Sequence, residues 1–405
     1  MNKAAPSRNT DIEVLRAVAI SFTLCSHFIW GLLPDFGSVG LKLQSMVRFS
    51  TGVDLFFGIS GFIITSSLIR ILQDNNPSLG MARTGGWKGF FAIAIPFWIR
   101  RGFRLLPSAW LWILITLFLA SKFNSHSSFG AFQDNLHEAG MAVLNVANFY
   151  FYERFARGYL AHGTLGVFWS LSLEEQFYLL LPFLLYFFHR RFLIPVLLAA
   201  FFAQVFVHRP AGYIPGHTSL LWFTRTDALI LGVLIAFGQQ RPSYRLNEPR
   251  FLRCGFLALS LVSLCILMLA MVPAFNEVAP ISTGLVAIIS GVLVLMASYD
   301  NNYILQPSRL KTALVWLGSR SYGIYLIHAT CYSFSIEIAR SLGIAGGNMT
   351  SVLLTIWCIS FTLALSEMNY RFIEAPFRRI GRQMADDFSL KLKDKSTIIA
   401  NQSLV

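Results

Sequence analysis

Apolar stretches of about twenty residues recur along this chain, and that is the length a helix needs to cross a bilayer. Ten stand out: 12–33, 53–72, 104–121, 168–188, 192–207, 219–238, 252–272, 279–298, 316–338 and 350–370. Polar residues inside them recur at i, i+4 and i+7, the spacing of one helix face. The pattern predicts an all-α fold, a polytopic membrane helical bundle of about ten transmembrane helices. It divides the chain into a membrane unit, 1–380, and a basic cytoplasmic tail, 381–405, expected to lack regular structure.

Lys and Arg in alternate connections set the orientation of such a bundle. Connections on the N-terminal side carry 20 and those on the other side 7, which predicts that both termini are cytoplasmic. The weakly apolar segment 139–152 does not fit the count, because an eleventh span there would invert everything after it. It reads as a re-entrant or interfacial piece of a long external connection, 122–167, that shapes an entrance.

Composition agrees with the pattern. Of the 405 residues 55% are hydrophobic and 13% charged, where a soluble domain carries about a quarter charged residues. The net charge of +13 is spread between apolar stretches rather than gathered with aromatics. Topology accounts for it, and nucleic acid is not an expected partner. The first stretch is too long for a cleaved signal peptide, contains Arg16 and His27, and is followed by no small-x-small pattern. The five cysteines form no C-x-x-C pair and mostly lie in apolar runs, as small hydrophobes do.

Candidate chemistry begins with Arg16 and His27, eleven residues apart. Eleven residues make close to three turns, so both side chains share a face roughly 16 Å apart. A charge within a bilayer helix costs roughly 2.5–3.5 kcal/mol on insertion scales and usually faces a protein-lined site. In the second stretch Asp54, Gly58, Gly61 and Thr65 form a stripe. Its glycines fit a close helix–helix contact, and Asp54 needs a cation or imidazole. Ser170, Glu174 and Tyr178 share a face of the fourth stretch, with Glu175 about 100° away. Arg225 and Asp227 lie in the sixth, and Ser321, Tyr325, His328 and Tyr332 follow helical spacing in the ninth. For any one of these a buried, satisfied polar group is an equal reading; together they are more informative.

With about 1.5 Å per residue, His27, Glu174 and Arg225 lie roughly 9 Å in from the outer ends of their stretches. Arg16, Arg100, Arg101, Arg104 and Arg320 fall at cytoplasmic ends. The expected picture is a basic ring inside and an acid–base cluster nearer the outside. Such a layout suits a cytoplasmic anionic donor and an acceptor arriving from the other face. Arginines hold phosphates by charge-assisted, often bidentate hydrogen bonds. An imidazole titrates near working pH and can take a proton from an attacking hydroxyl, with Glu174 orienting or charge-balancing it. There is no phosphate-binding glycine loop, no H-E-x-x-H and no G-x-S-x-G, and no metal site is expected.

Seven segments in register carry a family resemblance. They are Arg16 with His27, 52–62 (GVDLFFGISGF), 100–107 (RRGFRLLP), 169–178 (WSLSLEEQFY), 225–228 (RTDA), 321–328 (SYGIYLIH) and 374–376 (EAP). In this order the chain resembles the acyltransferase-3 family of bacterial integral-membrane O-acyltransferases, from about residue 10 to 380. The resemblance implies a multi-pass protein of the bacterial cytoplasmic (inner) membrane, with residues 1–380 as a membrane acyltransferase domain. It would move an acyl group, often acetyl, from cytoplasmic acyl-CoA to a hydroxyl of a surface polysaccharide, lipid-linked saccharide or similar acceptor. His27 matches the family's essential histidine and Arg16 its partner arginine. Arg101 and Arg104 match the donor-binding region and Glu174 the membrane glutamate. Asp54, Ser60, Tyr178, Arg225, Ser321, Tyr325 and His328 complete the expected donor and substrate site. Acetyl-CoA is the implied co-substrate, and no permanently bound cofactor is expected. Some relatives carry an extra extracytoplasmic hydrolase-like domain, which leaves open here whether a separate extracytoplasmic partner completes the transfer. The competing reading is a transporter or saccharide flippase without transferase chemistry. Transporters often show inverted repeats, and no matching halves are found.

Overall fold

In a computed structural model the described residues are 9–29, 46–75, 86–159, 163–207, 220–246, 248–272, 281–344 and 348–402. The end of the first expected span (30–33) and the connections 34–45, 208–218 and 273–278 lie outside them, wholly or nearly so. All described secondary structure is helical.

Helix α1 (Thr10–Leu24) begins where the Asn9 side chain accepts from the Ile12 amide at 3.0 Å, with Asp11 and Glu13 in its first turn. Both features suit a helix N-terminus. A π-helical turn, Cys25–Ile29, continues it. Then come α2 (Gly52–Asn75) and α3 (Gly86–Lys122), the latter with Pro96 and Pro107 inside. Two short helices follow, α4 (Phe132–Val143) and α5 (Ala147–Ala156). After them α6 (Phe168–Phe187), α7 (Arg190–Val205), α8 (Asp227–Gln239), α9 (Gly255–Met271) and α10 (Ser282–Ser298) build the middle of the bundle. The last elements are α11 (Arg309–Ser319), α12 (Ser321–Ser341), α13 (Asn348–Asn369), a π turn at Tyr370–Glu374, and α14 (Ala375–Gln402).

Among the described residues, three helical stretches are long and apolar enough to cross a membrane: Phe49–Gln73, Gly86–Lys122 and Met349–Leu392. Helices α8, α9 and α10 are apolar but shorter. The outside of the bundle is apolar too, with Leu114, Phe118, Phe202, Phe256, Leu353 and Trp357 all exposed. A soluble surface would not carry so continuous a cover.

Helix α2 lies against α8 so closely that a Cβ on Gly61 would stand 2.2 Å from the Leu229 carbonyl oxygen. One on Gly232 would stand 2.2 Å from that of Gly58. In an apolar solvent, association rests on such backbone packing rather than on hydrophobic drive. The glycine stripe is therefore the seam expected of it.

Four expectations need correction. The third span does not begin at residue 104: α3 starts at Gly86, eighteen residues earlier, because the prolines are absorbed as interior positions. The sixth is interrupted, as a single turn at Trp222–Arg225 gives way at Thr226 to α8. The ninth is split at Arg320 into α11 and α12; that arginine's Nε donates to Glu367 at 2.7 Å, and its guanidinium lies 4.2 Å from the Tyr370 ring centre. The tail expected to lack structure is helical to Gln402. Gly381 and Ala385 face inward, Gly381 closes on Phe103 of α3, and Arg100 pairs with Asp386 at 2.6 Å. A stripe of small residues at i, i+4 gives this polar helix a dry face. Segment 139–152 folds as α4 and α5, joined by a turn.

Candidate active site

Helix α1 supplies Arg16, whose Nε donates to Ser321 Oγ of α12 at 3.1 Å and whose Nη1 lies 3.5 Å from Glu13. Helix α2 supplies Ser60 and α6 supplies Glu174 and Tyr178. The Ser60 and Tyr178 hydroxyls both donate to Glu174 Oε1. Helix α3 supplies Arg101 and Arg104, one turn apart and side by side. The Arg101 guanidinium lies 5.2 Å from the centre of the Tyr178 ring and 5.9 Å from that of Phe97. Such cation–π seating fixes a guanidinium without neutralising it.

These side chains line one cleft of about 680 Å³, counted with the space at its mouth. Of the twelve residues expected in the site, it gathers Arg16, Ser60, Arg101, Arg104, Glu174, Tyr178, Ser321 and Tyr325. Three guanidinium groups therefore surround one carboxylate, and the rest of the wall includes Phe56, Phe57, Ile63 and Leu105. An anionic head with an apolar neighbour suits such a wall. The separation expected between a basic ring and a deeper Glu174 is not found. Arg104 lies eighteen residues into α3, about 27 Å from its start, so the arginines sit mid-helix beside the carboxylate.

The other four lie elsewhere. Arg225 donates to Asp54 Oδ2 at 2.8 Å and lies 5.6 Å from the centre of the Trp169 ring. That gives Asp54 its cation. His27 is exposed on the π turn that follows α1. Its ring centre stands 4.9 Å from that of the fully buried His328, edge to face. The two imidazoles thus form a site of their own at the far end of α1 from Arg16.

Two polar cleft residues were outside the expected set. Ser170 is bonded to the Tyr325 hydroxyl at 2.6 Å, and its place one turn before Glu174 was a signal for it. The Tyr322 hydroxyl donates to the Leu105 carbonyl at 2.7 Å. It stands between Ser321 and Tyr325 and escapes a count that follows a single face. A buried network beside the cleft was also missed: Asn369 accepts from Trp112 Nε1 at 3.2 Å and donates to Glu374 at 3.0 Å. The π turn brings these two together, and regular helical spacing does not show it.

The chain matches the family described as "Acyltransferase domain" over residues 9–367, and it belongs to that family, acyltransferase-3. It is 28% identical over 400 residues to a Staphylococcus aureus (strain COL) protein whose name gives it provisionally as an O-acetyltransferase; the match covers 91% of this chain and 57% of that protein. It is 29% identical over 349 residues to the peptidoglycan O-acetyltransferase OatA of Listeria monocytogenes, covering 82% and 51%. To the O-acetyltransferase OatA of Staphylococcus aureus (strain NCTC 8325 / PS 47) it is 27% identical over 352 residues, covering 82% and 53%. The chain spans little more than half the length of each relative. No solved structure matches it.

Proposed function

We propose that the protein is a multi-pass membrane O-acetyltransferase that takes acetyl from acetyl-CoA and places it on a hydroxyl of a carbohydrate acceptor. One observation carries this: Arg16, Arg101 and Arg104 converge with Glu174 in a single cleft whose remaining wall is largely apolar. The arginines hold the donor's phosphates, and Glu174 balances them when the cleft is empty. The acceptor is a polysaccharide or lipid-linked saccharide, reached from the outer face of a bacterial cytoplasmic membrane. The ten-span arrangement with both termini inside is part of this reading, supported by the cation asymmetry of the connections.

The chemistry is assigned to His27. Its imidazole takes the proton of the acceptor hydroxyl as that oxygen attacks the thioester carbonyl carbon. A C–O bond forms, the C–S bond breaks, and the CoA thiolate leaves and is then protonated. A general base of this kind contributes roughly 10²–10⁴-fold.

The test is to measure acetyl-CoA binding to purified protein by calorimetry, and O-acetylation of surface glycans by mass spectrometry in cells with and without the gene. Acetyl-CoA should bind, and the double variant Arg101→Ala/Arg104→Ala should abolish both signals. Absence of acetyl-CoA binding by the wild-type protein, or binding untouched by the double variant, overturns the donor site. Unchanged glycan acetylation together with loss of saccharide export would favour a flippase.

A further inference from the structure

His328 has no exposed surface. Its Nδ1 lies 2.8 Å from the Tyr325 carbonyl oxygen and 3.3 Å from that of Ile324. Carbonyls only accept, so Nδ1 carries the hydrogen and Nε2 of the neutral ring is a bare acceptor. Among the described residues that buried Nε2 has no hydrogen-bond partner. A buried acceptor left unpaired is costly and calls for an explanation. Three rings surround it. Phe28, 6.1 Å away between centres, has no donor. Tyr325, at 5.7 Å, has its hydroxyl engaged with Ser170. His27, at 4.9 Å and 78° between planes, is the ring with an N–H to offer.

We propose that His328 is a positioning residue for His27: its Nε2 accepts one His27 N–H and leaves the other His27 nitrogen bare toward the acceptor hydroxyl. This rests on the reading of His27 as the general base. Ring centres 4.9 Å apart leave room for the two nitrogens to face each other at hydrogen-bond length, about 3 Å. The proton balance is simple. The acceptor hydroxyl gives its proton to the bare His27 nitrogen, and the resulting imidazolium keeps its other N–H on His328. No proton passes on, because the hydrogen on His328 Nδ1 is held by the two carbonyls. The arrangement gives the base one tautomer and one orientation, as second groups do for ligating and catalytic imidazoles.

Two variants separate this from a packing role. His328→Asn keeps a donor where Nδ1 stood and removes the acceptor. His328→Gln places an amide oxygen where Nε2 stood. The readouts are glycan O-acetylation by mass spectrometry, acetyl-CoA affinity by calorimetry, melting temperature, and the rate at which diethyl pyrocarbonate modifies His27, followed by peptide mass spectrometry. His328→Asn should lower transfer roughly 10–100-fold with acetyl-CoA affinity within about twofold of wild type, as loss of an orienting partner does. The modification rate of His27 should fall with it, and His328→Gln should restore both. Wild-type transfer by His328→Asn overturns the proposal. So does a parallel loss of melting temperature and donor affinity in both variants, which would make His328 a packing residue. Full turnover by His27→Gln instead overturns the general-base reading, whatever His328 does.

Discussion

The two ends of the first helix are built to different standards of rigidity. Arg16 has a side chain only 12% exposed, with a hydroxyl on one side and Glu13 on the other. Eleven residues on, His27 stands exposed on a wider helical turn, with a buried imidazole as its ring neighbour. A group that holds a fixed anion gains from being seated in advance, since little ordering is left to do on binding. A group that must take a proton from an incoming hydroxyl needs access and a defined tautomer. On the proposed function, one helix carries a binding end and a reacting end, and the difference between them can be tested.

The largest expected effect is at the reacting end. His27→Gln keeps size and hydrogen bonding but cannot take the proton, so glycan O-acetylation should fall roughly 10²–10⁴-fold with calorimetric affinity for acetyl-CoA unchanged. If affinity falls as well, the two ends are not separate. Next comes the binding end. Arg104→Ala removes a charge-assisted contact contributing about 1.5–3 kcal/mol, so acetyl-CoA should bind about 10–100-fold more weakly. The wild-type affinity should itself decline with added salt. An Arg104→Ala affinity equal to wild type would remove that residue from the site.

The smallest effect lies in segment 122–167, whose Ala139, Ala142 and Phe151 share a buried cluster with Leu24 and Phe28. Outside the proposed spans, Glu138 accepts from the Gly163 and Leu165 amides at 2.6 and 3.0 Å, and burial pushes its carboxyl up to about 7. The folded protein holds this proton more tightly than the unfolded chain does, so stability falls as pH rises from about 4.5 to 7. Protection of the Gly163 and Leu165 amides in hydrogen exchange should decline over that window, and Glu138→Gln should flatten the decline. Acetyl-CoA affinity should not follow it. If affinity tracks the same titration, this segment reaches the proposed binding end too.

Helical spacing alone placed Ser321 with Tyr325 and Glu174 with Tyr178, and the cleft contains all four. It also named Gly58 and Gly61, the α2 glycines at the seam with α8, though not Gly232 across it. What escaped it depends on partners distant in sequence or on backbone that leaves the regular period. The arginines at 100–104 read as the edge of a span, yet α3 runs through them, which puts Arg101 and Arg104 at mid-helix. Asp54 announced a need for a cation, but nothing in the second stretch says that Arg225 fulfils it. The π turns at Cys25–Ile29 and Tyr370–Glu374 displace side chains from a 3.6-residue count. The inward face of α14 became visible only once Phe103 was there to receive Gly381.

The Asp54–Arg225 pair has a consequence in time. Its members are 171 positions apart, and ribosomes add about 5–20 residues per second, so Asp54 emerges about 10–30 s before its partner. During that interval the young α2 carries a carboxylate without its Arg225 contact, in a solvent that tolerates charge poorly. Half-made chains are therefore most vulnerable between the emergence of α2 and that of α8. Slow codons placed in this interval should send more chains to membrane proteases than the same codons placed after residue 225.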